Sequence, residues 1–173
     1  MSRNNIRVIE SWFGKIRKLT KLDLGWNEIK EIKRNALQPL AKLNFLNLRH
    51  NRLCAVEEGY FTGLTKLKTL HLSYNNISHI AWKALGQLPK LQMLALDHNE
   101  LLSIPPESLT AMQRAWTVNV EENPFRCTCA LEALKSAGSK AKKFFFHNRL
   151  LCSYPPSLSG RKIADVAKND MPC

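Results

Sequence analysis

The sequence predicts an α/β solenoid, a curved stack of short repeats with a parallel sheet lining its concave side. Three observations predict it. The frame L-x-x-L-x-L-x-x-N-x-L runs from Leu43 to Leu53. It returns at Leu19 to Ile29, Leu67 to Ile77 and Leu91 to Leu101, with a degraded copy from Ala115 to Phe125. Anchored on its asparagine, the register is Asn4, Asn27, Asn51, Asn75, Asn99 and Asn123, one step of 23 residues and then four of 24. Apolar columns keep the same period: Ile9, Ile32, Val56, Ile80 and Ile104; Phe13, Leu37, Phe61, Leu85 and Leu109; Ile16, Leu40, Leu64, Leu88 and Met112. Such columns cannot be buried within one repeat, so stacking of repeats must bury them.

Each position has a physical reason. Leu46 and Leu48 are two apart and point to one face of a short strand, while Phe45, Asn47 and Arg49 point to the other. One face is core and the other is solvent. The asparagine falls where the strand must turn, and its amide can satisfy backbone groups that the bend leaves unpaired. Stacked copies build a ladder of such amides. The outer stretches, such as Ala55 to Gly63 and Ala81 to Leu88, are expected to form short helical turns on the convex side. This frame is similar to the signature of the leucine-rich repeat family, and the resemblance implies a horseshoe.

In chain order, residues 1–18 hold the tail of a repeat. Ile6, Ile9, Phe13 and Ile16 are core-type residues with no repeat before them, and the chain enters mid-repeat without a signal peptide, as an expressed fragment would. An open apolar end with unpaired strand groups favours association, so a homodimer is expected. Residues 19–114 hold four full repeats with no linker or low-complexity segment, the last stiffened by Pro105-Pro106. Residues 1–122 are therefore assigned to the repeats and 123–173 to a different terminal segment.

That segment reads Asn123-Pro124-Phe125-Arg126-Cys127-Thr128-Cys129, then an amphipathic stretch from Ala130 to Ala137, Cys152, Pro155-Pro156, Leu158, Gly160 and Cys173. Spacing alone permits three cysteine connectivities. A four-cysteine zinc site is the rival, but C-x-C with two distant single cysteines is not the usual paired C-x-x-C spacing. The pattern resembles the cysteine-rich C-terminal cap of extracellular leucine-rich repeat proteins, shared by Toll-like receptors, Nogo-type receptors, Slit proteins and variable lymphocyte receptors. The short repeats and compact size look most like a variable lymphocyte receptor. The resemblance implies the pairs Cys127–Cys152 and Cys129–Cys173, and such bridges imply secretion or display outside the cell.

Composition narrows the function classes. The net charge is +12, distributed as +8 over residues 1–52, −2 over 53–125 and +6 over 126–173. This excess favours anionic partners without choosing among nucleic acid, sulfated glycan and bacterial envelope polymers. No run approaches the ~18 apolar residues of a membrane span. No nucleophile elbow, metalloprotease helix or phosphate-cradling glycine loop is present, so neither an enzyme nor a cofactor is expected. His50, His71 and His98 fall on the presumed strands. His50 and His98 are two repeats apart, roughly 10 Å, too far to share a metal ion.

The concave face is the stronger candidate site. Its outward columns are Lys21, Phe45, Thr69, Met93 and Thr117; Asp23, Asn47, His71, Ala95 and Asn119; Gly25, Arg49, Ser73, Asp97 and Glu121. The repeat does not dictate these mixed side chains, so they were free to be chosen for binding. Lys21, Phe45, Asn47, Arg49, Thr69, His71 and Met93 are the candidate contacts, with Phe45 beside Met93 and Arg49 giving apolar anchors with a charged neighbour; the bland alternative is a solvated sheet face. A basic column, Lys18, Lys42, Lys66, Lys90 and Arg114, falls nine residues before each ladder asparagine. Stacking spaces it about 5 Å per step along the strand-entry edge. Lysines 140, 142 and 143 beside Phe144, Phe145 and Phe146 add a basic aromatic stretch suited to an acylated anion. Asn76-Ile77-Ser78 is an N-glycosylation sequon, and Cys54 is the odd cysteine, expected as a buried free thiol or else an intermolecular link.

Together these features lead us to expect an extracellular recognition module. The receptor resemblance implies immune-type recognition of anionic microbial surface molecules, of the lipopolysaccharide or lipoteichoic acid class, through the concave sheet and basic ends. No nucleic acid partner is expected. The alternative is an adhesion or guidance receptor fragment that binds a protein or a sulfated glycan.

Overall fold

The computed structural model of the chain describes residues 1–104, 115, 117–129 and 150–172. Pro105-Pro106, Leu109, Met112, Arg114, the stretch from Ala130 to Ala137, the basic aromatic stretch 140–147 and Cys173 lie outside them.

The strands are two or three residues long, because each contributes only the alternating centre of the repeat. In chain order they are β1 (Val8–Ile9), β2 (Lys21–Asp23), β3 (Glu31–Ile32), β4 (Phe45–Asn47), β5 (Ala55–Val56), β6 (Thr69–His71), β7 (His79–Ile80), β8 (Met93–Ala95) and β9 (Thr117–Asn119). The central sheet is wholly parallel, in the order β2-β4-β6-β8-β9. Its register steps by one repeat per strand, Leu22 opposite Leu46, Leu70, Leu94 and Val118 in turn. These central residues are all buried. The α/β solenoid is thus realised.

A second set of contacts was not anticipated. β1 pairs with β3 and β5 with β7, also parallel, through Ile9 opposite Ile32 and Val56 opposite Ile80. The isoleucine column is therefore strand as well as core. Among the described residues the convex side has less helix than expected: Ala55 begins a strand, and only Trp82–Gly86 winds into an α-helix, α1. The first two convex turns pass through left-handed backbone at Asn35 (φ 61°) and Gly59 (φ 96°), one repeat apart. Asparagine and glycine tolerate that conformation. The third repeat has Lys83 at the same place and continues as helix.

One continuous core runs through the stack. Phe13, Leu37, Phe61 and Leu85 are buried in one column, and Leu40, Leu64 and Leu88 in the next. Each such side chain contributes ~1.5–3 kcal/mol, an upper figure because unfolded chains also bury some apolar surface. At the first turn the expectation holds only in part. Ile9 and Phe13 are buried and Ile6 is partly so, but Ile16 is 43% exposed. Beyond β9, Phe125, Leu150, Leu158, Ile163, Val166 and Met171 join the same core.

The ladder of amides is complete from Asn27 to Asn123. Asn75 is representative. Its Oδ1 accepts from the Leu53 N–H of the preceding repeat at 3.0 Å. Its Nδ2 donates to the Leu48 carbonyl of that repeat at 3.0 Å and to the Leu72 carbonyl of its own at 2.9 Å. Asn51, Asn99 and Asn123 repeat this pattern. Asn4, the first member of the sequence register, is exposed, and its Nδ2 donates to the nearby Met1 and Ser2 carbonyls rather than across repeats.

Cys127 and Cys152 are bridged, with Cα atoms 5.5 Å apart and a sequence separation of 25. Cys129 is also disulfide-bonded, and its N–H donates to the Pro172 carbonyl at 3.3 Å. Cys54 corrects an expectation: the thiol is free and exposed, not buried. Leu53 turns inward to the core, so its neighbour turns out.

Two adjacent asparagines separate ladder from surface. Asn75→Ala orphans the buried Leu53 N–H, while the Leu48 and Leu72 carbonyls keep the amides of Asn51 and Asn99, so it should cost about 1–3 kcal/mol. Asn76→Ala, at an exposed position, should stay within about 0.5 kcal/mol. Urea denaturation of protein made without glycosylation checks both. Replacing Cys127 and Cys152 together by alanine should lower stability by about 3–4 kcal/mol on the chain-entropy estimate, read as a lower thermal midpoint.

Candidate functional site

The parallel register converts sequence columns into rows across the concave face. One row runs Lys21, Phe45, Thr69, Met93, Thr117 and the next Asp23, Asn47, His71, Ala95, Asn119. Lys21 and Met93 are exposed, while Phe45, Asn47, Thr69 and His71 are half-buried. Phe45 and Met93 lie two strands apart with Thr69 between them, so they are separate anchors. Phe45 packs instead against His71, ring centroids 5.5 Å apart.

Three of the seven candidates converge. Arg49, His71 and Met93, with Tyr74, Asp97 and Thr117, line a concave depression of about 330 Å³. Lys21, Phe45, Asn47 and Thr69 lie outside its lining. Asn47 ties neighbouring strand ends together. Its Nδ2 donates to Asp23 Oδ1 at 3.0 Å and its Oδ1 accepts from the Arg49 N–H at 3.0 Å. Inside the depression Asp97 is engaged, accepting from Ser73 Oγ at 2.6 Å and facing His98 Nδ1 at 3.2 Å. Arg49 has no carboxylate partner among the described residues. Its Nη2 meets His50 Nε2 at 3.2 Å and its guanidinium lies 5.9 Å from the Tyr74 ring centre.

Sequence reasoning missed the most regular feature of this surface. Trp26, His50, Tyr74 and His98 stack as one column, with centroid separations of 3.6, 4.3 and 4.0 Å and 17° between successive planes. His50 and His98 therefore belong to the turn after each strand, not to the strand. Each of the four rings hangs from a residue with left-handed backbone, φ between 52° and 57°. The signal was present: an aromatic or imidazole ring recurs one residue before each ladder asparagine from Asn27 to Asn99. Only the backbone geometry turns that recurrence into face-to-face contact.

Both inner histidines are held toward their neutral form. Burial lowers the His50 pKa first, helped by the charge of Arg49 and by His98. A guanidinium can only donate, so His50 Nε2 is the acceptor of that contact. Burial likewise lowers the His71 pKa, with Arg49 adding to it and Asp97 and Asp23 opposing. Lys18, Lys42, Lys66 and Lys90 are all exposed along the strand-entry edge, and Arg114 lies outside the described residues. Among the described residues no group of three or more His, Cys, Asp or Glu is placed to hold a metal ion, and no helix is long and apolar enough to cross a membrane.

The depressed histidines give a pH dependence with a fixed sign. Their unfolded value is near 6.5, so below it the unfolded chain takes up protons before the folded chain does, and their stabilising contribution is lost as pH falls through the folded values. The thermal midpoint should drop as pH is lowered from about 7 toward 5. A His50→Gln, His71→Gln variant should drop less. Thermal unfolding followed by circular dichroism across that range checks the difference.

Comparison with known proteins agrees with this architecture. The family model described as leucine rich repeat matches residues 1–53 and 46–101. Among solved structures the chain is similar to one titled as the crystal structure of a TLR13–ssRNA13 complex. The TM-score is 0.66 and the identity 35%, over 71% of this chain and 18% of that one. This chain therefore spans less than a fifth of that chain's length. No curated protein sequence matches it. With one concave strand per repeat, an asparagine closing each turn and a family match that covers most of the chain, the protein belongs to the leucine-rich repeat family.

Proposed function

We propose that this chain is an extracellular recognition module whose ligand is an anionic, partly apolar molecule bound on the concave face. The observation that supports it most is the depression beside the ring column. There Arg49 stands without a carboxylate partner among the described residues, next to Met93, Tyr74 and a His71 whose pKa burial lowers. A cation in a concave, partly apolar setting is attracted to an amphiphilic anion more strongly than it would be on an open surface. The lysine edge adds exposed charges about 5 Å apart, which suits a polymer rather than a single anion.

Immune-type recognition of microbial envelope polymers, of the lipopolysaccharide or lipoteichoic acid class, is the reading we favour. The cap-like cysteine pattern and the resemblance to Toll-like and variable lymphocyte receptors support it. In this reading residues 1–122 form the binding solenoid and 123–173 its disulfide-bonded cap, with the second bridge between Cys129 and Cys173. The protein has no catalytic role and no cofactor. The structure to which the chain is similar is titled as an RNA complex, so single-stranded RNA belongs in the test as a comparator polyanion. An adhesion or guidance fragment that binds protein or sulfated glycan is the alternative, and the basic edge supports the glycan form of it.

Immobilised chain should bind purified lipoteichoic acid or lipopolysaccharide more tightly than heparin or single-stranded RNA of similar charge. Arg49→Ala and Met93→Ala should each weaken that binding by about tenfold, ~1.4 kcal/mol. Lys42→Ala with Lys66→Ala should mainly reduce its salt dependence. Equal binding to every polyanion, insensitive to Arg49 and Met93 and abolished by salt, would overturn the proposal.

A further inference from the structure

We propose that Asn76 carries an N-linked glycan on the flank of the solenoid, beside the free thiol of Cys54 and clear of the concave face. The inference rests on the extracellular reading above, because the modification belongs to the secretory route.

Asn76-Ile77-Ser78 is the only N-x-S/T sequon in the 173 residues, and such a triplet is often silent because its asparagine is buried or occupied. Here the fold separates the two neighbouring asparagines. Asn75 is buried, and its Nδ2 gives both protons to the Leu48 and Leu72 carbonyls. Asn76 is exposed, and its Nδ2 makes one contact, to Glu100 Oε1 at 2.9 Å. Glycosylation replaces one of the two amide protons, so the Glu100 bond can persist in the modified side chain. Ile77 between them is buried and Ser78 is exposed, which fixes the outward direction of the sequon on both sides.

The position also decides what a glycan would cover. Asn76 follows the turn and precedes β7, with its N–H bonded to the Leu53 carbonyl at 2.9 Å. That is the flank of the stack, past the ring column and away from the β4 and β6 rows. A bulky solubilising chain there leaves the depression open. In the preceding repeat Cys54 occupies the place of Ser78: the Ser78 N–H donates to the Cys54 carbonyl at 3.0 Å and Ser78 Oγ lies 3.5 Å from it. A free exposed thiol in an oxidising compartment invites intermolecular pairing. The glycan would screen that thiol sterically.

The step balances with one co-reactant, an oligosaccharide carried on a polyprenyl diphosphate. Asn76 Nδ2 bonds to the anomeric carbon, the carbon–oxygen bond to the diphosphate breaks, and the diphosphate leaves with the electron pair. The displaced amide proton passes to a base of the transferase.

The test is to secrete the full chain from a eukaryotic cell behind a heterologous leader and measure its mass before and after peptide N-glycosidase. Wild type and Ser78→Thr should lose mass; Asn76→Gln and Ser78→Ala should show no change. Maleimide should label Cys54 more slowly before deglycosylation than after. Secreted wild type with the Cys127–Cys152 bridge formed and no mass change would overturn the glycan while leaving the extracellular reading standing. A mass change retained in Asn76→Gln and Ser78→Ala would overturn the assignment to this site. Equal labelling rates would overturn the screening of Cys54. A chain that is retained in the cell and unbridged would overturn the extracellular reading and the glycan together.

Discussion

The amide ladder is the constraint on which the rest of this structure depends. Each strand must bend sharply after its second inward leucine, and the bend passes through left-handed backbone at a residue that is never glycine: Trp26, His50, Tyr74, His98 and Glu122. Left-handed geometry costs a non-glycine residue about 1–2 kcal/mol. An aromatic pair returns ~0.5–1.5 kcal/mol, so stacking alone does not offset it. The asparagine that follows must supply the balance. It holds the turn from both sides, taking a proton from the preceding repeat and giving protons to the carbonyls of two repeats. The N–H of the preceding repeat would otherwise be unpaired, which is the more expensive failure, and each carbonyl is shared by two successive amides.

The candidate site is built on that turn. Because every turn has the same conformation, the residue before each asparagine is delivered at a constant angle, and four rings fall into one continuous column. The same constancy fixes the concave rows, so Arg49, His71 and Met93 from three adjacent repeats reach one depression. A rigid surface loses little entropy on binding. It also leaves Arg49 beside His71, whose pKa burial lowers, and the guanidinium has no carboxylate partner among the described residues.

Much of the fold was legible because stacking is periodic. Leu46, Leu48, Val56 and Phe61 announce their faces by spacing alone, and the ladder asparagines could be assigned from the need to satisfy a bend. What periodicity does not encode is backbone conformation and pairing at the edges. The left-handed φ of Trp26 and Tyr74 decides that their rings stack, and no spacing rule states that sign. The pairing of Val8–Ile9 with Glu31–Ile32 was hidden because two residues are too few to show alternation. Cys54 was misread because a lone cysteine is usually inward, whereas here Leu53 has taken the inward place. Phe45 and Met93 looked like neighbours in a column, but Thr69 stands between them.

Hydrogen exchange of the backbone amides that the ladder asparagines accept from tests the central claim most directly. Ile29, Leu53, Ile77 and Leu101 donate to Asn51, Asn75, Asn99 and Asn123 respectively. If the ladder couples successive repeats, Asn99→Ala should speed exchange most at Ile77, less at Leu53 and least at Ile29. Unchanged protection at Ile77, or an equal rise at all four amides, would contradict the account.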